Sequence, residues 1–149
     1  MKALIPLFAA LVLASAPALA HDDAYLDTVK APNGGQLRMA GAYHLELVVA
    51  GDAKEARDNP VLVYVTDHAD KKIPSAGTKG TATVLAGKQK TTVALAPDGD
   101  NRLKGTGKYL SDPAMKVVVA VTFADGKTEQ ARFEPLAKKA ADSHAGHNH

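Results

Sequence analysis

From about residue 36 to residue 134 the apolar positions fall in short runs separated by turn-forming residues. "YHLELVVA", Tyr43 to Ala50, alternates: Tyr43, Leu45, Leu47 and Val49 share one face, and His44, Glu46 and Val48 share the other. A period of two predicts a half-buried strand. "VLVYVT", Val61 to Thr66, is apolar on both faces and predicts a central strand. "GTATVLA" (Gly80 to Ala86) and "KTTVALA" (Lys90 to Ala96) are joined by "GKQ", a short Gly-containing hairpin loop. "KVVVAVTF" (Lys116 to Phe123) and "TEQARFE" (Thr128 to Glu134) flank "ADGK", and Asp-Gly between strands tolerates the positive φ that tight hairpins require. "PNGG", "GDAKEARDNP", "DHADKK", "PDGDN" and "SDP" supply turn chemistry between the runs. "EARD" has room for one helical turn, and no strong amphipathic helix is present. The expectation is an all-β chain, an immunoglobulin-like antiparallel β-sandwich of seven or eight short strands.

The two ends break this pattern. Residues 1–20 have Lys2 as their only charge, then an apolar run ending in Ala-Leu-Ala, which predicts a secretory signal peptide cut after Ala20. Residues 21–32 are expected to form an N-terminal arm, with Tyr25, Leu26 and Val29 able to dock on the sandwich of residues 33–136. Residues 137–149, "AKKAADSHAGHNH", are small and polar without a periodic apolar face, which predicts a disordered, His-containing tail. The mature protein is expected to be periplasmic or secreted. No later stretch is long and apolar enough to cross a bilayer.

Composition removes several function classes. Without Lys2, seventeen basic residues face sixteen acidic ones, a net of +1 that gives no electrostatic reason to expect nucleic acid. No cysteine is present, which excludes thiolate metal sites, redox motifs and cysteine nucleophiles and leaves stability to the core alone. Tryptophan is absent and Phe and Tyr are few, so broad stacking surfaces are not expected. None of Ser15, Ser75, Ser111 or Ser143 sits in Gly-x-Ser-x-Gly, and His-Glu-x-x-His is missing. His44-x-Glu46 lacks the downstream cysteine pair of zinc deaminases, and no pair of carboxylates stands out by spacing. No enzyme is expected.

The remaining chemistry is histidine. Of the six, His21, His144, His147 and His149 lie at the two ends of the mature chain. Imidazole is the commonest metal-ligating side chain and suits copper, nickel and zinc. A cut after Ala20 would make His21 the first residue, so that its α-amine and ring Nδ1 can chelate one ion, with Asp22 and Asp23 adding oxygen nearby. Signal peptidase constrains that position only weakly, and the chelate needs a further donor. The tail histidines, at spacings of three and two, can converge on an ion with Asp142 nearby. Ordering such a tail costs entropy, so high affinity is not implied.

His44 and His68 are second-rank candidates. A two-residue Gly41-Ala42 loop would set Met39 opposite His44, a thioether beside an imidazole. A three-residue loop, Ala40 to Ala42, sets Met39 opposite Tyr43 and Leu37 opposite Leu45, all facing the core. Burial favours the second register and places His44 outward beside Glu46. His68, in "TDHADKK", belongs either to a small patch with Asp67 and Asp70 or, as the more ordinary reading, to a polar turn in which Asp supplies the hydrogen bonds. "APNGGQL" lacks the following helix of a phosphate loop and reads as a tight approach to a strand.

"APNGGQL", "YHLELVV", "VYVTDHADKKI", "GTATVLAG", "LAPDGDNRLKGTG" and "MKVVVAVTFADGKTEQARF" together resemble small exported proteins associated with bacterial heavy-metal efflux and resistance systems. They also look like the small β-domain at the N-terminus of some metal-efflux periplasmic adaptor proteins. The resemblance spans about residues 31 to 134 and rests on strand and turn patterns. It implies an immunoglobulin-like domain in the periplasm that binds or handles metal ions beside an efflux or resistance system; the ions expected at the histidine donors are copper, zinc, nickel or cobalt. Where related proteins carry His-Gly-Gly this chain has Asn33-Gly34-Gly35, and an amide is a poorer ligand than imidazole. Copper-resistance β-sandwich proteins with a mature N-terminal histidine are a more distant analogy that carries over only His21. The alternative is a metal-independent interaction module that contacts an envelope or efflux protein.

Overall fold

The computed structural model describes residues 22–138. Eight antiparallel strands form one nearly closed sheet. They are β1 (Gln36–Ala40), β2 (Tyr43–Val49), β3 (Arg57–Asp67), β4 (Lys79–Ala86), β5 (Gln89–Pro97), β6 (Arg102–Tyr109), β7 (Lys116–Thr122) and β8 (Thr128–Phe133). Their order across the sheet is β1-β2-β3-β6-β5-β4-β7-β8. A single helical turn, α1 (Asp23–Leu26), precedes them. The all-β expectation holds. "EARD" is not helical, since Arg57 and Asp58 open β3.

The sheet closes around the faces that the alternation singles out. Leu45 and Leu47 of β2, Val61, Val63 and Val65 of β3, and Val117, Val119 and Val121 of β7 are all at most 2% exposed. Tyr43 stacks on Phe123 across the interior, with ring centroids 4.2 Å apart. The hairpin turns follow their chemistry: Gly87, between β4 and β5, has φ 59°, and Gly126 of the Asp-Gly turn has φ 85°.

Two places depart from regular pairing. β5 and β6 are linked at Ala96↔Lys104 and Pro97↔Leu103. Beyond that pair β6 crosses β5 closely enough that a Cβ on Gly105 would lie 2.2 Å from the Ala94 carbonyl oxygen, and one on Gly107 would lie 2.4 Å from Val93 Cγ2. Only glycine allows that approach. At the second place, β1 and β8 face each other without a ladder. Gln36 Oε1 accepts from Glu134 N–H at 2.8 Å across this seam.

β3 starts before Val61 and runs through Pro60. The β2–β3 ladder ends at Val49↔Val61, so Pro60 lies just past it. The Tyr109 hydroxyl fills the gap: it donates to the Pro60 carbonyl and accepts from Ala50 N–H at 3.0 Å. A proline without an N–H is tolerated here because a side chain stands where the next ladder bond would be. Tyr109 is 1% exposed, and burial pushes its phenol above the ordinary value.

Candidate functional site

The loop between β1 and β2 has the two residues Gly41 and Ala42, with Gly41 at φ 59°. The register is Ala40↔Tyr43, Met39↔His44, Arg38↔Leu45 and Leu37↔Glu46. The expected three-residue loop is therefore corrected, and with it the inward placement of Met39. The physical reason is the N-terminal arm. Leu26 is buried, and α1 lies along the free edge of β1, where Asp23 Oδ1 accepts from Met39 N–H at 3.0 Å. Both faces of β1 are thus half-covered, and core burial no longer selects the register. The polar inward side chains are satisfied at the seam: Gln36 by Glu134 N–H, and Arg38 by Asp27 at 2.7 Å and the Leu37 carbonyl at 2.8 Å.

His44 and Glu46 share the face opposite the core, as the alternation requires, but that face is not open. His44 is 5% exposed and Glu46 3%. The expected placement of His44 on the outward face beside Glu46 holds, but other parts of the chain cover that face. Glu46 is covered by the Asn33-Gly34-Gly35 segment, which wraps its carboxylate. Asn33 N–H (2.8 Å) and Gly35 N–H (3.0 Å) donate to Oε1, and Asn33 Nδ2 donates to Oε2 at 2.8 Å. Gly34 has φ 74°, and a Cβ on Gly35 would stand 2.2 Å from the Leu47 carbonyl oxygen. The Asn-Gly-Gly sequence is thus a clasp on a buried carboxylate, consistent with its reading as a tight approach to a strand.

His44 is covered by the turn after β3. The His68 ring stacks on it, with centroids 4.9 Å apart and planes inclined by 23°. Asp70 Oδ1 lies 3.9 Å from His44 Nδ1. The turn follows the ordinary reading of its sequence: Asp67 Oδ1 accepts from Ala69 N–H at 2.8 Å and from Lys71 N–H at 2.9 Å. Asp70 adopts φ 61°. The fold therefore gathers an imidazole from β2, an imidazole and a carboxylate from the turn after β3, and the Met39 position of β1. Among the described residues no three side chains drawn from His, Asp and Glu are arranged to hold an ion.

Asp22, a candidate oxygen ligand, caps α1: its carboxylate accepts from Ala24 N–H and from Tyr25 N–H, the latter at 3.2 Å. His21, His144, His147 and His149 lie outside the described residues. The two ends of the described chain do meet, since Leu26 to Val29 of the arm and Glu134, Pro135, Ala137 and Lys138 line one hollow of about 690 Å³ beside β1. No helix among the described residues is long and apolar enough to cross a membrane. The clasp at Glu46 and the Tyr109 bridge were not singled out by sequence, because each pairs residues distant along the chain. Neither family models, nor curated proteins, nor solved structures give a match to this chain.

Proposed function

We propose that this is an exported, non-enzymatic metal-binding accessory protein that captures and delivers copper or zinc, or else nickel or cobalt, beside a heavy-metal efflux or resistance system. The observation that carries this reading is the juxtaposition of His44 and His68, with Asp70 adjacent. Neutral imidazoles bind these ions and exchange ligands readily. The arm adds support. His21 is two residues from Asp23, at most about 7 Å of chain, and Asp23 is bonded to the Met39 backbone. In this proposal the signal peptide is removed after Ala20, the working compartment is the periplasm, and the domain is an immunoglobulin-like elaboration of the eight-stranded sheet. His21 and the tail histidines His144, His147 and His149 supply further donors.

Calorimetric titration of the processed protein with Cu(II) and with Zn(II) tests this. Binding tighter than about 100 μM, roughly 5.5 kcal/mol, is expected for at least one ion. Absence of such binding for both refutes it. The β1–β8 seam favours a second reading, because β8 has no ladder partner on that side, and an extended segment of an envelope or efflux protein can pair with such an edge, whereas α1 already takes that of β1. Replacing His21 with Ala and deleting residues 137–149 separates the two: unchanged metal tolerance in a strain that needs the intact protein favours the interaction role.

A further inference from the structure

We propose that Met39, His44 and His68 form a site for a soft monovalent ion, Cu(I) or its analogue Ag(I), on the outer face of β1 and β2. This rests on the metal-binding reading and specifies its ion class and ligands.

The Met39 N–H points away from β2, to Asp23. Met39↔His44 is therefore a non-hydrogen-bonded pair of the antiparallel ladder, the kind in which facing side chains approach most closely. The thioether thus belongs to the position nearest the His44 ring. Two imidazole nitrogens on one ion stand at most about 4 Å apart, the linear limit of two metal–nitrogen bonds of about 2.0 Å. The ring centroids of His44 and His68 are 4.9 Å apart. The exposed His68 ring can rotate about its side-chain bonds to turn a ring nitrogen toward an ion shared with His44, without moving the turn, whose backbone Asp67 holds. His44 is the fixed donor, held on β2 beneath the turn after β3, and His68 the adjustable one.

The donor set decides the ion. Two neutral imidazoles and a thioether carry no charge and are soft or borderline, which suits a monovalent copper ion. Hard divalent ions need oxygen ligands, and the nearby carboxylates have other partners: Glu46 is wrapped by Asn33 and Gly35, and Asp67 by the turn. Asp70 Oδ1, 3.9 Å from His44 Nδ1, is beyond hydrogen-bond reach and bears on that ring through its charge alone.

Titration of the full-length processed protein with Ag(I), which is stable in air, tests the proposal by NMR. The first equivalent should shift the ring nitrogens of His44 and His68 and the Met39 methyl together. Met39→Leu, which keeps the side-chain volume, and His68→Ala, on an exposed turn, should each weaken Ag(I) binding by about tenfold or more. Shifts confined to the other histidines overturn this site while leaving metal binding intact. Shifts at His44 and His68 without the Met39 methyl overturn the soft ligand set. No shift at any histidine removes both this proposal and the reading beneath it.

Discussion

Replacing Glu46 with alanine should destabilise the fold well beyond the loss of a surface carboxylate. The side chain is 3% exposed and accepts three hydrogen bonds, two of them from the backbone of the Asn33–Gly35 segment. A hydrogen bond to a charged group contributes roughly 1.5–3 kcal/mol, and a buried donor left unsatisfied costs about 1–3 kcal/mol. The three bonds share one carboxylate, and water can enter the vacated space beside the exposed Asn33. We therefore expect a loss of about 3 kcal/mol for Glu46→Ala, a fall in melting temperature on the order of 10 °C. Glu46→Gln should lose only about 1 kcal/mol. The amide oxygen keeps both backbone donors at Oε1, and the Asn33 side chain can turn its own oxygen toward the new NH₂. Urea unfolding of the three proteins measures this, with the midpoint moving and the slope unchanged. Equal stabilities for the Ala and Gln variants, or a loss below about 0.5 kcal/mol for Ala, would refute the clasp.

Other consequences follow from particular contacts. Tyr109, raised above its ordinary pKa by burial, holds its proton in the folded state, so its stabilising contribution is complete below pH 10.0 and is lost as pH rises through the elevated value. Phenolate absorbance should show a tyrosine ionising above the ordinary phenol range, coincident with alkaline unfolding, and Tyr109→Phe should remove that step. Tyr109→Phe should cost about 1–3 kcal/mol at neutral pH, because Ala50 N–H and the Pro60 carbonyl both lose a partner. Gly105→Ala should cost about 1–3 kcal/mol from the clash with the Ala94 carbonyl, and chemical denaturation showing no loss would contradict the close approach of β5 and β6.

Much of the fold was legible in the sequence where one face is core and the other solvent. The alternation of "YHLELVVA" assigned Leu45 and Leu47 to the interior, and the Gly and Asp-Gly turns located the hairpins β4–β5 and β7–β8. Legibility failed where a strand's surroundings come from distant residues. β6, "RLKGTGKY", carries no alternation that marks a strand because Gly105 and Gly107 interrupt it, yet those glycines are what the crossing of β5 requires. The register of β1 was misread because the arm takes the free edge of the strand, through Asp23 on the Met39 backbone, while Asp27 and Glu134 satisfy the polar inner side chains Arg38 and Gln36. The burial of His44 was missed for a separate reason: His68 covers it from a turn more than twenty residues away. The donor pair therefore emerges only once the strands are assembled, although each histidine was a candidate beforehand.

Native mass spectrometry of the exported protein, after exposure to one equivalent of copper and removal of excess, bears most directly on metal handling. The expected spectrum has a chain beginning at His21 and carrying one bound ion, which is lost or weakened when His44 and His68 are both replaced. A chain that retains no metal under these conditions would contradict a capture-and-delivery role.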